Sequence, residues 1–235
     1  MRMRRLIFGG TTEGREFAVN CAERGDAVLV CVASVAGRRE LPADMPCLVG
    51  RMEAAEMARC AAEFGAEELV DATHPFAEAV SRNIRRCAEM TGLPLRRIER
   101  SSDAEADFAD AVTWADDAAH AAELLWSEPG NILLATGSNT LHIYAAALGV
   151  ERLYVRVLPN QVSLQKCEAA GMPASHIAAM QGPFSADLNA ALYGMWDIRH
   201  LVTKDSGDVG GVREKVIPAL RQGLNVIMIR RPKEG

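Results

Sequence analysis

Short apolar runs alternate with amphipathic stretches along the chain, and the alternation predicts strands and helices in turn. Residues 5–8 read as a buried strand, and residues 13–24 as a helix with Phe17, Ala18, Cys21 and Ala22 on one face. Gly25 is its expected stop. Residues 27–33 (AVLVCVA) are almost continuously apolar, as expected of a strand that helices cover on both faces of a parallel sheet. The same grammar predicts strands at 46–49, 68–72 and 95–98, with helices at 54–64 and 76–91 that end at Gly65 and Gly92. It resumes with strands at 131–135, 152–158, 176–180, 200–203 and 225–229, separated by helices at 139–148, 163–170, 185–195 and 212–222.

This rhythm favours α/β units with right-handed crossovers, hence two Rossmann-like lobes with mainly parallel sheets. We expect an N-terminal dinucleotide-binding lobe at 1–99, an acidic linker at 100–111 and a C-terminal α/β lobe at 112–235. The halves begin alike, LIFGGTTEG in one and LLATGSNTL in the other, a weak internal echo that shared α/β grammar also explains.

Composition narrows the function classes. Hydrophobic residues make up 49% of the 235, which is too many for a disordered chain. The formal net charge of -5 argues against a nucleic-acid partner, which needs a basic face. The longest uncharged stretch, 129–150, carries Asn131, Thr136, Ser138, Asn139 and His142, too polar for a membrane span. The basic start leads into only three apolar residues before Gly9-Gly10, so no signal peptide is expected. Six cysteines form no CxxC pair and no zinc-like spacing, so they read as reduced thiols of a cytoplasmic protein, with no metal site.

The sharpest local signal is Gly9-Gly10-Thr11-Thr12-Glu13-Gly14-Arg15, between the first strand and the first helix. A doubly wound fold binds a pyrophosphate there, on glycine backbone and helix N–H groups. Gly9 and Gly14 match the outer glycines of GxGxxG, and Thr11 holds the middle place. A plain tight turn explains the same residues. The second strand then reaches Ser34, followed by Arg38 and Arg39. A small hydroxyl with arginines, in place of an acidic residue, suits the 2′-phosphate of NADPH, although Arg38 and Arg39 also read as surface arginines. Thr73 and His74 close the fourth strand, facing where a cofactor would sit, and Pro75 suits the first turn of the next helix.

In the second half, Thr136-Gly137-Ser138-Asn139 ends a strand and suits a carboxylate. Gln181-Gly182-Pro183-Phe184-Ser185 precedes a helix that Ser185 can cap. Lys204 beside Asp205 follows a buried strand, where it can bind an anion or assist proton transfer. It reads equally well as a solvated turn.

These segments together resemble the precorrin-6A reductase family, including the cobalt-precorrin-6A reductases of anaerobic cobalamin biosynthesis. LIFGGTTEGRE, GRM at 50–52, DATHPFAEAVSRN at 71–83, ATGSNTL, VRVLP at 155–159, QGPFSADLN at 181–189, VTKDSGDVGGVREK at 202–215 and the closing RRP occur in the family's order. One departure is that Arg100-Ser101-Ser102-Asp103 stands where the family often has Arg-Pro-x-Trp.

The resemblance implies an NAD(P)H-dependent oxidoreductase acting on a CH–CH group, with the nicotinamide cofactor in a cleft between two lobes. A hydride would pass to a ring double bond of a tetrapyrrole, giving (cobalt-)precorrin-6B. Carried over by position, Gly9, Gly10, Thr11, Thr12, Glu13, Gly14, Thr73, His74 and Pro75 would contact the cofactor, with Ser34, Arg38 and Arg39 favouring NADPH and NADH left open. Ser138, Gln181, Ser185 and Lys204 would line the substrate side, and Arg15, Arg51 and Lys204 would anchor its carboxylates. Lys204 and Asp205 are the catalytic candidates; His74 and an ordered water remain open as proton donors. Partners beyond the tetrapyrrole would be other enzymes of the pathway, and the oligomeric state is unread. Two other readings stay open: an NADP-binding redox sensor, and a reductase of another anionic substrate.

Overall fold

The structure, a computed structural model, describes residues 2–98, 107–205 and 211–231. The chain forms two compact units, Met1–Arg100 and Ser101–Gly235. Among the described residues both sheets are entirely parallel. No helix among them is long and apolar enough to cross a membrane.

The first unit runs β1 (Arg4–Phe8), α1 (Thr12–Glu23), β2 (Ala27–Val32), α2 (Val35–Arg39), β3 (Cys47–Val49), α3 (Ala54–Phe64), β4 (Glu68–Asp71), α4 (Glu78–Thr91) and β5 (Leu95–Arg97). Its strand order is β3-β2-β1-β4-β5. Side chains on β1 alternate between the two faces, as the period of a strand requires. Leu6 and Phe8 pack with Met57, Ala61 and Ile84, while Ile7 packs with Ala18, Cys21 and Val30. Helix α3 begins at a capping box between Glu53 and Glu56 and ends at Gly65, where φ is 68° and a left-handed residue closes the helix. At the opposite end of the sheet from the strand C-termini, Arg5 pairs with Asp26 and with Glu68, and Arg96 reaches Glu68 at 2.9 Å. Burial pushes the Glu68 carboxyl up, but the two guanidinium partners outweigh it and hold it below its ordinary value.

The second unit runs β6 (Thr113–Ala115), α5 (Ala118–Leu125), β7 (Asn131–Leu134), α6 (Leu141–Leu148), β8 (Leu153–Val157), α7 (Gln161–Ala169), β9 (Ile177–Ala179), α8 (Ala186–Met195), β10 (Ile198–Lys204), α9 (Val212–Arg221) and β11 (Asn225–Ile229). Its order is β6-β11-β10-β7-β8-β9. Leu133, Leu201, Val226 and Met228 from its strands pack with Tyr193 of α8 and Val212 and Val216 of α9.

The periodicity places most elements within two residues of their observed bounds, and three departures have physical causes. Strand β2 ends at Val32, because Ser34 caps a five-residue helix, accepting from the Gly37 amide at 3.2 Å. Pro75 lies outside α4: the Ala77 amide donates to the His74 carbonyl at 2.8 Å, closing a separate turn before the helix starts at Glu78. Strand β6 and helix α5 carry too short an apolar pattern to stand out, although Asp117 caps α5 by accepting from the His120 amide at 2.8 Å. Most of the expected acidic linker, together with Arg100-Ser101-Ser102-Asp103, lies outside the described residues. Its far end packs into the second unit, with Phe108 buried in the core and Asp107 paired with Arg213.

Candidate functional site

Each unit has a point where the strand order reverses, the place where open α/β sheets bind ligands. In the first unit it lies between the carboxyl ends of β1 and β4, where Phe8 is in register with Asp71. The Gly9–Gly14 turn and the Thr73-His74-Pro75 segment leave these two strand ends side by side. Thr11 caps α1: its hydroxyl accepts from the Gly14 amide at 3.1 Å and donates to the Ala72 carbonyl at 3.2 Å. The turn is thereby tied directly to the end of β4.

The glycines here serve close approach. A Cβ on Gly14 would lie 2.5 Å from the Ala72 Cβ, and one on Gly9 would lie 3.2 Å from a Val30 methyl. This backbone, with the first amides of α1 at its rim, suits the approach of a phosphate group. Thr12 and Glu13 form the first turn of that helix.

Thr73 is buried and its hydroxyl is engaged inward. It donates to Asp71 Oδ1 at 2.7 Å and lies 3.1 Å from the Ser81 hydroxyl. Arg97 of β5 completes the knot, pairing with Asp71 at 2.5 Å and donating to Thr73 and Ser81 at 3.2 Å each. Its amide is turned inward as well, donating to Asp71 Oδ1 at 3.0 Å. His74 is half-buried, and its Nδ1 accepts from the Phe76 amide at 3.3 Å, so a neutral ring carries its proton on Nε2.

The Ser34 hydroxyl is used in capping α2. Arg38 donates to the carbonyls of Pro42 and Ala43 at 3.0 and 2.8 Å. Arg39 is exposed, with no side-chain hydrogen bond among the described residues. Arg15 pairs loosely with Glu40 at 3.5 Å and lines a shallow groove of about 510 Å³ with Glu16, Leu41 and Pro42. Arg51 is exposed in the loop before α3.

In the second unit the reversal lies between β7 and β10, where Leu134 is in register with Val202 and the Ala135 amide donates to the Val202 carbonyl at 2.8 Å. Thr136 and Ser138 follow β7, and Lys204 and Asp205 lie at the end of β10, so the two polar segments emerge from neighbouring strands. Thr136 and Thr203 are buried with hydroxyls that find no hydrogen-bond partner among the described residues. Asp205 is held by Arg231, whose Nε lies 3.1 Å from the Asp205 carboxylate. Gln181 is exposed, and Ser185 caps α8, accepting from the Leu188 amide at 3.2 Å.

Sequence reasoning passed over the buried group beside these segments. Arg156 of β8 donates to Asn189 Oδ1 at 2.7 Å and lies over the Phe184 ring at 4.4 Å. Asn189 in turn donates to the carbonyls of Ser185 and Glu214 at 2.9 and 3.0 Å. Lys215 of α9 is 8% exposed, and its carbonyl accepts from the Tyr193 hydroxyl at 2.9 Å. Burial, then the Arg156 charge, pull the Lys215 ammonium down to about 7, against a smaller upward pull from Glu214. Among the described residues no three His, Cys, Asp or Glu side chains group as metal ligands would.

Two units, each a parallel sheet whose strand order reverses once, with a glycine turn at the reversal of the first, define an α/β protein with two Rossmann-like lobes. The family model of "Precorrin-6x reductase CbiJ/CobK" matches residues 4–235. The cobalt-precorrin-6A reductase of Priestia megaterium is 37% identical over 97% of this chain and 90% of its own length. That of Salmonella typhimurium is 34% identical over 97% and 87%. The precorrin-6A reductase of Rhodobacter capsulatus is 32% identical over 97% and 88%. Among solved structures, "CobK precorrin-6A reductase" superposes with a TM-score of 0.77 at 27% identity, covering 99% of this chain and 90% of that one. The chain belongs to the precorrin-6x reductase family.

Proposed function

We infer that this chain is the precorrin-6A reductase of a cobalamin pathway, an oxidoreductase acting on a CH–CH group of the tetrapyrrole. The observation that carries this reading is family similarity along nearly the whole chain, including 37% identity to a cobalt-precorrin-6A reductase over 97% of it.

The reductant we propose is NADPH, which when bound supplies the hydride. The Gly9–Gly14 turn and the first amides of α1 would hold its pyrophosphate. The His74–Pro75 backbone, braced from behind by the Asp71–Thr73–Ser81–Arg97 knot, would flank it. Arg39 is the better placed of the two arginines for a 2′-phosphate, since Arg38 is already bonded to two carbonyls. The Thr136–Ser138 turn, Gln181, Ser185 and Lys204 would meet the tetrapyrrole. Lys204, beside an Asp205 that Arg231 orients, would supply or steer the proton that accompanies the hydride. Arg15 and Arg51 remain candidate carboxylate anchors. Any cobalt arrives with the substrate. Six free cysteines fit a reducing, cytoplasmic setting.

The test is reduction of precorrin-6A and cobalt-precorrin-6A by the purified protein with NADPH and with NADH. Turnover of at least one tetrapyrrole is expected, faster with NADPH. No turnover of either by folded protein would sink the assignment.

A further inference from the structure

The Thr73 hydroxyl has one proton, and it goes to Asp71 Oδ1 at 2.7 Å, so the Ser81 hydroxyl donates to Thr73 across 3.1 Å. Arg97 donates to both hydroxyls at 3.2 Å and lies 2.5 Å from the Asp71 carboxylate. Asp71 Oδ1 takes one bond more, from the Thr73 amide at 3.0 Å. Asp71 and Thr73 are 3% and 6% exposed. In a buried network of this kind each bond fixes the direction of the next.

The Thr73 amide belongs to the same planar peptide group as the Ala72 carbonyl. That carbonyl accepts from the Thr11 hydroxyl at 3.2 Å, and Thr11 caps α1 by accepting from the Gly14 amide at 3.1 Å. Asp71 therefore grips one peptide plane by its N–H, while Thr11 is held on its C=O. A tilt of that plane would carry the carbonyl away from Thr11. It would also turn Ala72 against Gly14, where the contact already leaves no room for a Cβ. The plane is set by the Asp71 carboxylate, and the carboxylate is set by Arg97, on a strand two places from β1.

We propose that Arg97 is a positioning residue for the Gly9–Gly14 turn, acting through Asp71 and the Ala72–Thr73 peptide on Thr11. Arg97 need touch no cofactor to do so. The bearing on NADPH rests on the function proposed above; the coupling to the turn does not.

The test uses Arg97→Lys and Thr11→Val, alone and together, in the full-length protein. Lysine keeps a charge beside Asp71 but cannot present a planar fork to the carboxylate and both hydroxyls. Arg97→Lys should raise the NADPH Kd about fivefold or more, and leave the tetrapyrrole KM at saturating NADPH unchanged. In the double variant the Arg97 change should add little to the effect of Thr11→Val, because the bond through which it acts is already gone. Ile84→Val thins the buried core of the same unit and should leave the NADPH Kd unchanged, which separates positioning from general loosening. An unchanged NADPH Kd in Arg97→Lys would overturn the proposal, as would a tetrapyrrole KM that rises as much as the Kd. A full-sized effect of Arg97→Lys on top of Thr11→Val, or an equal loss in Ile84→Val, would do the same. If the wild type binds no NADPH, the reading of the turn fails, and the same cycle measured in unfolding free energy decides the coupling. Additive losses there overturn it, and a double variant that loses less than the sum upholds it.

Discussion

Gly14, in the first turn of α1, stands against Ala72 at the end of β4 so closely that a Cβ on Gly14 would lie 2.5 Å from the Ala72 Cβ and 3.1 Å from its carbonyl oxygen. Both atoms belong to Ala72, whose amide donates to the Phe8 carbonyl at 2.9 Å, so neither is the far end of a flexible side chain. Gly14→Ala must push α1 away from the sheet and pull the Gly9–Gly14 turn with it. Overpacking of this kind costs about 1–3 kcal/mol. The expected outcome is a lower Tm together with weaker NADPH binding by calorimetric titration. A variant with both unchanged would show that the turn is not set by this contact.

Cofactor choice is tested by arginine removal. Replacing Arg38 and Arg39 together by Ala should weaken NADPH more than NADH, by about 1–3 kcal/mol if a charge-assisted bond to the 2′-phosphate is lost. Arg39→Ala alone should carry most of that difference, since the Arg38 guanidinium is occupied by the Pro42 and Ala43 carbonyls. Equal weakening of the two cofactors would move the 2′-phosphate elsewhere.

Lys204→Ala should lower kcat for tetrapyrrole reduction and leave the NADPH Kd as it was, because Lys204 closes β10 of the second unit whereas the turn proposed to hold the pyrophosphate belongs to the first. Unchanged kinetics would reduce Lys204 to a surface residue. Asp205→Asn should act more weakly, through the loss of one charge from its pair with Arg231.

Lys215 makes a prediction in pH. Its folded value, about 7, lies below the ordinary lysine value of 10.5. At a pH below about 7 the ammonium is charged in both states, and the full cost of burying it opposes folding. As pH rises from there towards 10.5, the folded protein has lost the proton while the unfolded chain still binds it, so this contribution to stability climbs. Buried thiols such as Cys31, raised by burial, work in the opposite direction over the alkaline range. The difference in Tm between wild type and Lys215→Met cancels the thiols. It should favour the variant most at neutral pH and shrink as pH increases; a flat difference would mean that Lys215 is not buried as a cation.

The alternation of apolar runs made the sheets legible, because a parallel strand covered on both faces has to be apolar almost throughout, as AVLVCVA is. The glycine turn after β1 was legible for a related reason: close packing at Gly9 and Gly14 demands glycine at fixed places after a strand. Ser34 was misleading. A hydroxyl after a strand can face a ligand or cap a helix, and a five-residue helix is too short to show its period. The Arg97 partner of Asp71 and Thr73 was not legible, since only the pairing of β4 with β5 brings residues so far apart in sequence together. The Arg156–Lys215 pair is a more distant case of the same kind. Each residue lies inside a stretch that resembles the family, yet nothing local marks either as buried.

The proposed reaction is transfer of a hydride from NADPH to precorrin-6A. The most direct measurement is mass spectrometry of the tetrapyrrole after incubation with the protein and NADPH deuterated at the transferring carbon, run in parallel with cobalt-precorrin-6A. The expected product has gained two hydrogens, one of them deuterium from the cofactor, and forms in step with NADPH oxidation. Tetrapyrrole recovered unreduced from both reactions, in the presence of folded protein that binds the cofactor, would contradict it.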